Sequence, residues 1–361
     1  MAEQRVIDRL PAFYSKFLPR FFERPIPVET MATCGDCAMW PEAERSFSEK
    51  ISFNKATKCC THYPNLPNYL VGALLSSIDP AHQEGKDRVL EKIHRRLGVT
   101  PQGILRPEHY SLVIKNTPDV FGKSKSLVCP YFQQDEGRCA IWNFNTANCN
   151  TWFCKYNAGE DGRLFWKALK EYLSDVQHTL TEYTQFKLGL APGKIMLSAA
   201  AGQSITPDEL DNEPLDEKSY QNLWGDWGPR VEDFYKEAYQ QVASLTKRDF
   251  GNIAGISQKI LLKNLEDKQR RLVKPDLPQV LTRNPRLFVT KTGDDSYTLV
   301  SYSPFDPIQV PKKIYDALDF FDGRRKNSEV RRLIARESGM ELETDLLLSL
   351  YQLRILGEKE S

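Results

Sequence analysis

Apolar positions recur along this chain in two rhythms, one helical and one alternating, and the change between them marks its organisation. In the middle of the chain Leu169, Leu173, Val176 and Leu180 follow at helical spacing, with Trp166 and Tyr183 widening the stripe. That spacing predicts a long amphipathic helix. A second helix is predicted after Pro229, burying Val231, Phe234, Tyr235, Ala238, Val242 and Leu245. Between them, Trp224-Gly225-Asp226-Trp227-Gly228 reads as aromatic packing between helices, with a ligand wall as the alternative. The stretch from Lys259 to Arg271 predicts a mixed-charge helix with Ile260, Leu261, Leu265 and Leu272 as apolar points. Pro275 and Pro278 end it and form a linker.

Upstream, Asp79-Pro80 has the form of a cap followed by proline at the first helical position. The helix it opens is expected to reach Leu97, with Val89, Ile93 and Leu97 on its buried face. Downstream of the linker, Leu287-Phe288-Val289 and Tyr297-Thr298-Leu299-Val300 flank Thr292-Gly293-Asp294-Asp295, which predicts a hairpin. Three short helices are expected to follow. The first starts at Pro311, buries Ile314, Leu318 and Phe321, and stops at Gly323. The second runs from Ser328 to Ser338 with Val330, Leu333 and Ile334 inward, and the third sets Leu346, Leu350 and Leu353 on one face with Leu347 and Tyr351 beside it.

The expected fold is therefore α+β and mostly helical, in three consecutive regions. Residues 1–160 form a cysteine-rich metal-binding domain, 161–278 a helical region, and 280–361 a small winged-helix-like domain. A net charge of +1 over 361 residues gives no support to nucleic-acid or membrane binding through bulk charge. No apolar run reaches membrane-spanning length, and the first residues lack a secretory apolar core. A cytoplasmic location follows as an expectation, and there thiols stay reduced.

All eight cysteines lie at or before Cys154, in two groups: Cys34, Cys37, Cys59 and Cys60, then Cys129, Cys139, Cys149 and Cys154. Confined thiols in a reducing compartment point to metal, and thiolate sulfur selects zinc, copper(I) or iron–sulfur clusters. A disulfide-stapled secreted protein is the alternative. Cys34-Gly35-Asp36-Cys37 is a knuckle that lets two sulfurs reach one ion, and Cys59-Cys60 follows at the separation of paired zinc ligands. In an extended segment the adjacent pair would point to opposite sides, serving two centres or leaving one thiol out. Asp135-Glu136-Gly137 predicts a tight hairpin folding Cys129 and Cys139 towards each other. Lys58, Arg138 and Lys155 each adjoin a cysteine, where their charge favours thiolates. His62 is near enough to Cys59-Cys60 to substitute as a ligand, though a turn histidine hydrogen-bonded to backbone is the favoured reading.

The run Cys59-Cys60, Cys129-Pro130-Tyr131-Phe132, Gly137-Arg138-Cys139-Ala140-Ile141-Trp142 and Cys149 resembles the YkgJ-type cysteine-cluster family over roughly residues 30–156. That family is described as zinc- or iron-chelating, often iron–sulfur. It usually carries Arg-Pro shortly before the cysteine matching Cys149, where this chain has Thr146-Ala147. A flagellin lysine N-methylase belongs to the wider group, but neither a glycine-rich methyl-donor site nor a radical C-x3-C-x2-C triad is found in the sequence. From Ala317 to Gly323 and through the helices beyond, the C-terminal region resembles PqqD-like winged helices, which bind leader peptides by adding a strand to their hairpin.

The reading that follows is a protein holding an iron–sulfur cluster, or alternatively Zn2+, through these eight cysteines, with a peptide or protein partner at its C-terminal domain. A metal-dependent enzyme of peptide modification is the second reading. An iron- or redox-sensing DNA-binding regulator is the third. Arg324-Arg325-Lys326 and Arg331-Arg332 favour the third, whereas Glu341, Glu343 and Asp345 would repel phosphate.

Overall fold

The computed structural model describes residues 4–27, 37–40, 52–191 and 210–359. The protein is α+β and mostly helical. It forms two compact units, each assembled from stretches far apart in sequence. The first comprises residues 1–26, 53–152 and 169–262, and the second 27–52, 153–168 and 263–361.

The first unit contains α1 (Asn68–Ser76), α2 (Gln83–His94), α3 (Glu108–Asn116) and α4 (Ala147–Thr151). It also holds most of α5 (Gly159–Lys187), then α6 (Glu217–Trp224), α7 (Val231–Ala243), α8 (Lys247–Ile253) and the start of α9 (Ile256–Val273). Helix α1 is buried from Asn68 to Leu75, as a helix without a polar face must be. It packs on α7, which buries the expected stripe of Val231, Phe234, Tyr235, Ala238 and Val242. A Cβ at Gly72 would stand 1.8 Å from the Tyr235 carbonyl oxygen, so only glycine allows this approach. The Asn68 side chain is satisfied inside the core. Its Nδ2 donates to the Pro101 carbonyl at 2.8 Å, and its Oδ1 accepts from the Tyr69 N–H at 2.7 Å and the Thr184 hydroxyl at 3.1 Å. Trp224 lies edge-on to Phe234, with ring centroids 5.3 Å apart, so the tryptophan-glycine segment packs between helices.

Strands β1 (Leu66–Pro67), β2 (Val99–Thr100) and β3 (Gly103–Ile104) make a small antiparallel sheet in the order β1-β3-β2. Strands β4 (Phe132–Gln133) and β5 (Arg138–Cys139) form the hairpin expected around Asp135-Glu136-Gly137. Two helices differ from the sequence pattern. Asp79 caps a short 3-10 turn, Pro80–His82, before α2 begins, and Leu97 falls beyond the helix. Arg96 turns left-handed with φ +57°, and the Leu97 N–H returns to the Lys92 carbonyl at 3.0 Å, which closes the end. In α9, Leu265 is buried while Ile260 is 62% exposed, and Gln258 and Gln269 take interior places instead.

The second unit holds β6 (Val280–Arg283), β7 (Phe288–Gly293), β8 (Ser296–Val300), β9 (Ile308–Pro311), β10 (Asp322–Lys326) and β11 (Leu356–Gly357). The predicted hairpin is β7–β8, and β9 extends it to a three-stranded antiparallel sheet. A second sheet has the order β10-β6-β11. Helices α10 (Lys312–Ala317), α11 (Asn327–Ser338) and α12 (Thr344–Gln352) close a core that includes Leu281, Leu299, Leu318, Val330 and Ile334. In α12 the buried residues are Leu350 of the expected stripe and Leu347 from beside it, with Leu346 and Leu353 at the margin. Residues 153–168 belong to this unit. A Cβ at Gly159 would stand 2.5 Å from the Gln352 carbonyl oxygen, and Arg354 lies 3.7 Å from Asp161.

Candidate metal centre

The adjacent cysteines sit in a turn, not in an extended segment. The Asn54 carbonyl accepts from the Thr57 N–H at 3.0 Å and the Lys58 N–H at 2.8 Å, and the Thr57 carbonyl accepts from the Cys60 N–H at 3.0 Å. Lys58 adopts φ +49°, a left-handed value that a lysine takes only when its surroundings hold it there. Three contacts do so. The Thr57 hydroxyl donates to the Gly122 carbonyl at 2.8 Å, the Gly122 N–H returns to Thr61 Oγ1 at 2.7 Å, and Lys58 Nζ donates to the Gly137 carbonyl at 2.7 Å. Gly137, with φ +63°, is the tip of the β4–β5 hairpin, and a Cβ there would stand 2.6 Å from Lys58 Nζ.

Two backbone ties bring the second cysteine group alongside. The Cys129 N–H donates to the Cys60 carbonyl at 2.7 Å, and β4 pairs Phe132 with Cys139. Beyond β5 the chain turns through Asn145 and Thr146 into α4, which carries Cys149. Thr146 Oγ1 lies 3.6 Å from Cys149 Sγ, and Asn145 Nδ2 lies 3.8 Å from Cys139 Sγ.

The thiols feel one another. The Cys59 pKa is lowered, first by its hydrogen bond with the Cys60 thiol, with burial opposing and Lys58 adding a smaller push. Because the pair occupies a turn, the two side chains meet instead of diverging, which corrects the extended-segment expectation. Burial pushes the Cys149 thiol up to about 12, and the neighbouring Cys139 and Cys59 add to the rise. Burial also raises the Cys129 thiol, with Cys139 and Cys149 acting in the same direction and Lys92 against it. Cys59, Cys60, Cys129, Cys139 and Cys149 thus share one neighbourhood within the first unit. Cys37 and Cys154 belong to the second unit, and Cys34 lies outside the described residues.

Among the described residues, no three Cys, His, Asp or Glu side chains stand close enough to hold a metal ion in this arrangement. Thiol sulfur is nevertheless the donor type that soft ions and iron–sulfur clusters select. Five thiols gather in one neighbourhood, with Lys58 beside Cys59 and Lys92 beside Cys129. A buried polar atom is also left over. The Tyr131 hydroxyl is enclosed and has no hydrogen-bond partner among the described residues, with Tyr63, Cys129 and Cys139 acting on it electrostatically. The chain at Cys129 lines a cleft of about 430 Å³ with Glu84, Arg88, Gln133 and Asp135, which gives this region an approach from solvent.

His62 makes its hydrogen bond with a side chain, Asn148 Nδ2 at 3.0 Å from Nε2, and burial lowers its pKa to about 4. Of the flanking cations, Lys58 is buried at the hairpin tip, Lys155 is buried in the second unit, and Arg138 pairs with Glu136 at the surface. The sequence reading missed Lys92, whose ammonium lies 5.1 Å from the centre of the Tyr63 ring and 2.5 Å from its hydroxyl. Its place three residues after Val89 on α2 was the available signal. It also missed Asn145 and Thr146 as partners of sulfur. Searches of protein families, curated proteins and solved structures find no match to this chain.

Proposed function

We propose that this protein is a metal-binding protein of the YkgJ-type cysteine-cluster kind, holding an iron–sulfur cluster or zinc. The observation that carries the proposal is the convergence of Cys59, Cys60, Cys129, Cys139 and Cys149 from three separate stretches of the first unit. Thiolates there would supply the ligands, with Lys58 and Lys92 offsetting part of their charge. Protein purified without oxygen is expected to contain iron or zinc. A brown colour with broad absorption near roughly 400 nm identifies an iron–sulfur cluster, and zinc leaves the solution colourless. Folded protein containing neither metal refutes the proposal.

A peptide or protein strand is the proposed partner of the C-terminal region. Strand β7 has β8 on one side and, among the described residues, no strand on the other, and it presents Phe288 at 68% exposure. An edge of this kind offers its backbone to an added strand. DNA binding finds less support. Arg325 is paired with Asp322 at 3.0 Å, and Arg331 donates to the Leu342 carbonyl and to Thr344 Oγ1. Duplex DNA titrated into the full chain at low salt should show no binding, and steeply salt-dependent binding would favour the regulator instead. Among the described residues no helix is long and apolar enough to cross a membrane, and a cytoplasmic home remains part of this proposal.

A further inference from the structure

We propose that Ser77 is a nucleophile, with His82 as its general base and Asn143 orienting the imidazole, in a site that takes carboxylic esters with small apolar acyl groups. The site uses no cysteine and stands independently of the metal reading. Ser77 Oγ lies 2.8 Å from His82 Nδ1, and His82 Nε2 lies 3.1 Å from the side-chain amide of Asn143. A hydroxyl within reach of a base, and a base held by a third group, is the arrangement that activates a serine. Asn143 comes from the Trp142–Phe144 turn, far downstream of the other two.

The fold fixes the pair. Helix α1 stops at Ser77, and the capped turn Asp79-Pro80 brings His82 round to the start of α2. Lys86, one turn along α2, donates Nζ to the Ser77 carbonyl and has further N–H donors beside the serine for a developing oxyanion. The Phe144 ring stands edge-on to the His82 ring, with centroids 4.9 Å apart. The Asp79 N–H donates to Ser77 Oγ at 3.3 Å, which leaves the hydroxyl's own proton for Nδ1. Nδ2 of Asn143 faces Nε2, and a half-turn of this exposed amide presents Oδ1 instead, so the two settings match the two ring tautomers. With Oδ1 inward the ring proton sits on Nε2, and Nδ1 is bare to take the serine proton.

Ile78, directly after the serine, is 97% exposed, and Trp142, directly before Asn143, is 44% exposed. These apolar side chains beside a polar pair suit a small acyl group. Attack of Oγ on the ester carbonyl carbon forms the new C–O bond as the proton passes to Nδ1. The alcohol leaves with that proton, and water releases the acid by the same route.

An alkyl fluorophosphonate added to the full chain, with the label located by peptide mass spectrometry, tests this. The wild type should be labelled on Ser77 and should hydrolyse p-nitrophenyl butyrate, and Ser77→Ala should lose both. His82→Gln should slow labelling by about 100-fold or more, the usual worth of a general base. Asn143→Ala should slow it less, and Asn143→Asp, which keeps an acceptor for Nε2–H, should restore the rate, a rescue that a merely structural role would not require. The exposed Asn143 variants should melt with the wild type. Wild-type protein without label on Ser77 overturns the proposal, as does a folded His82→Gln variant labelled at the wild-type rate. Labelling of Asn143→Ala at the wild-type rate overturns the orienting role.

Discussion

Single residues in this protein do jobs that their type does not announce. Lys58 is a buried lysine with a left-handed backbone, and Asp161 is a carboxylate held in a half-buried place beside Arg354. Burial raises the Asp161 pKa, with the Arg354 charge opposing. In the unfolded chain this carboxyl ionises in the ordinary carboxylate range, below its folded value. Between the two values the folded protein binds more protons, so this group's contribution to stability falls as pH rises through that window. Urea unfolding across that range should show wild type losing stability relative to Asp161→Asn as pH increases. A constant difference between the two proteins would mean that the carboxyl is not strained by its surroundings. The cysteine ligand candidates were legible because a thiol's chemistry is visible in its letter. The donors Asn145 and Thr146 were not, because Asn and Thr serve turns and caps everywhere, and only their contacts with sulfur in the folded chain single them out.

Elements were legible where one face is buried and opaque where pairing is set by the rest of the fold. Helix α7 was readable from the spacing of its buried residues, and the β7–β8 hairpin from two apolar runs on either side of a glycine-bearing turn. Strand β10, Asp322-Gly323-Arg324-Arg325-Lys326, has no apolar residue to betray it. It is shaped by Asp322, whose carboxylate accepts the Arg324 N–H at 2.9 Å and the Arg325 N–H at 3.1 Å. Strand β11 is two residues long and pairs with β6 far upstream, so no local pattern could reveal it. The α1–α7 pair was half legible: both helices show their apolar residues, but nothing marks Gly72 as the point where they touch. Gly72→Ala is expected to drive the two backbones apart at a cost of about 1–3 kcal/mol, as overpacking of a filled core does. The denaturant midpoint should fall while metal content stays unchanged. An unaltered midpoint would show that α7 can shift without penalty.

At the scale of the whole molecule, the composition predicted three consecutive regions, while the folded chain gathers into two units built from interleaved stretches. Sequence order does not reveal such sharing, because a helix such as α5 reads as one object even when its first turns serve one unit and its remainder the other. The first unit owns an apolar core independent of sulfur, with Tyr69, Leu70, Val71 and Leu74 of α1 fully enclosed. Extraction of metal by a chelator should therefore leave the far-ultraviolet spectrum and a cooperative thermal transition in place. Small zinc domains, which unfold on losing the ion, behave in the opposite way. Loss of cooperative unfolding in metal-free protein would show that thiolate coordination, not the core, holds the unit together.

The bond from the Cys129 N–H to the Cys60 carbonyl has a consequence for how such a protein matures. It joins two thiol-bearing turns through main-chain atoms alone, so the thiols are brought together without an ion. Under the proposed metal-binding function, a chain of this kind finishes folding empty and is charged afterwards without refolding. Supply of the metal then becomes a step that can be withheld or timed, separate from synthesis, and the empty and charged forms can coexist as two populations of one fold.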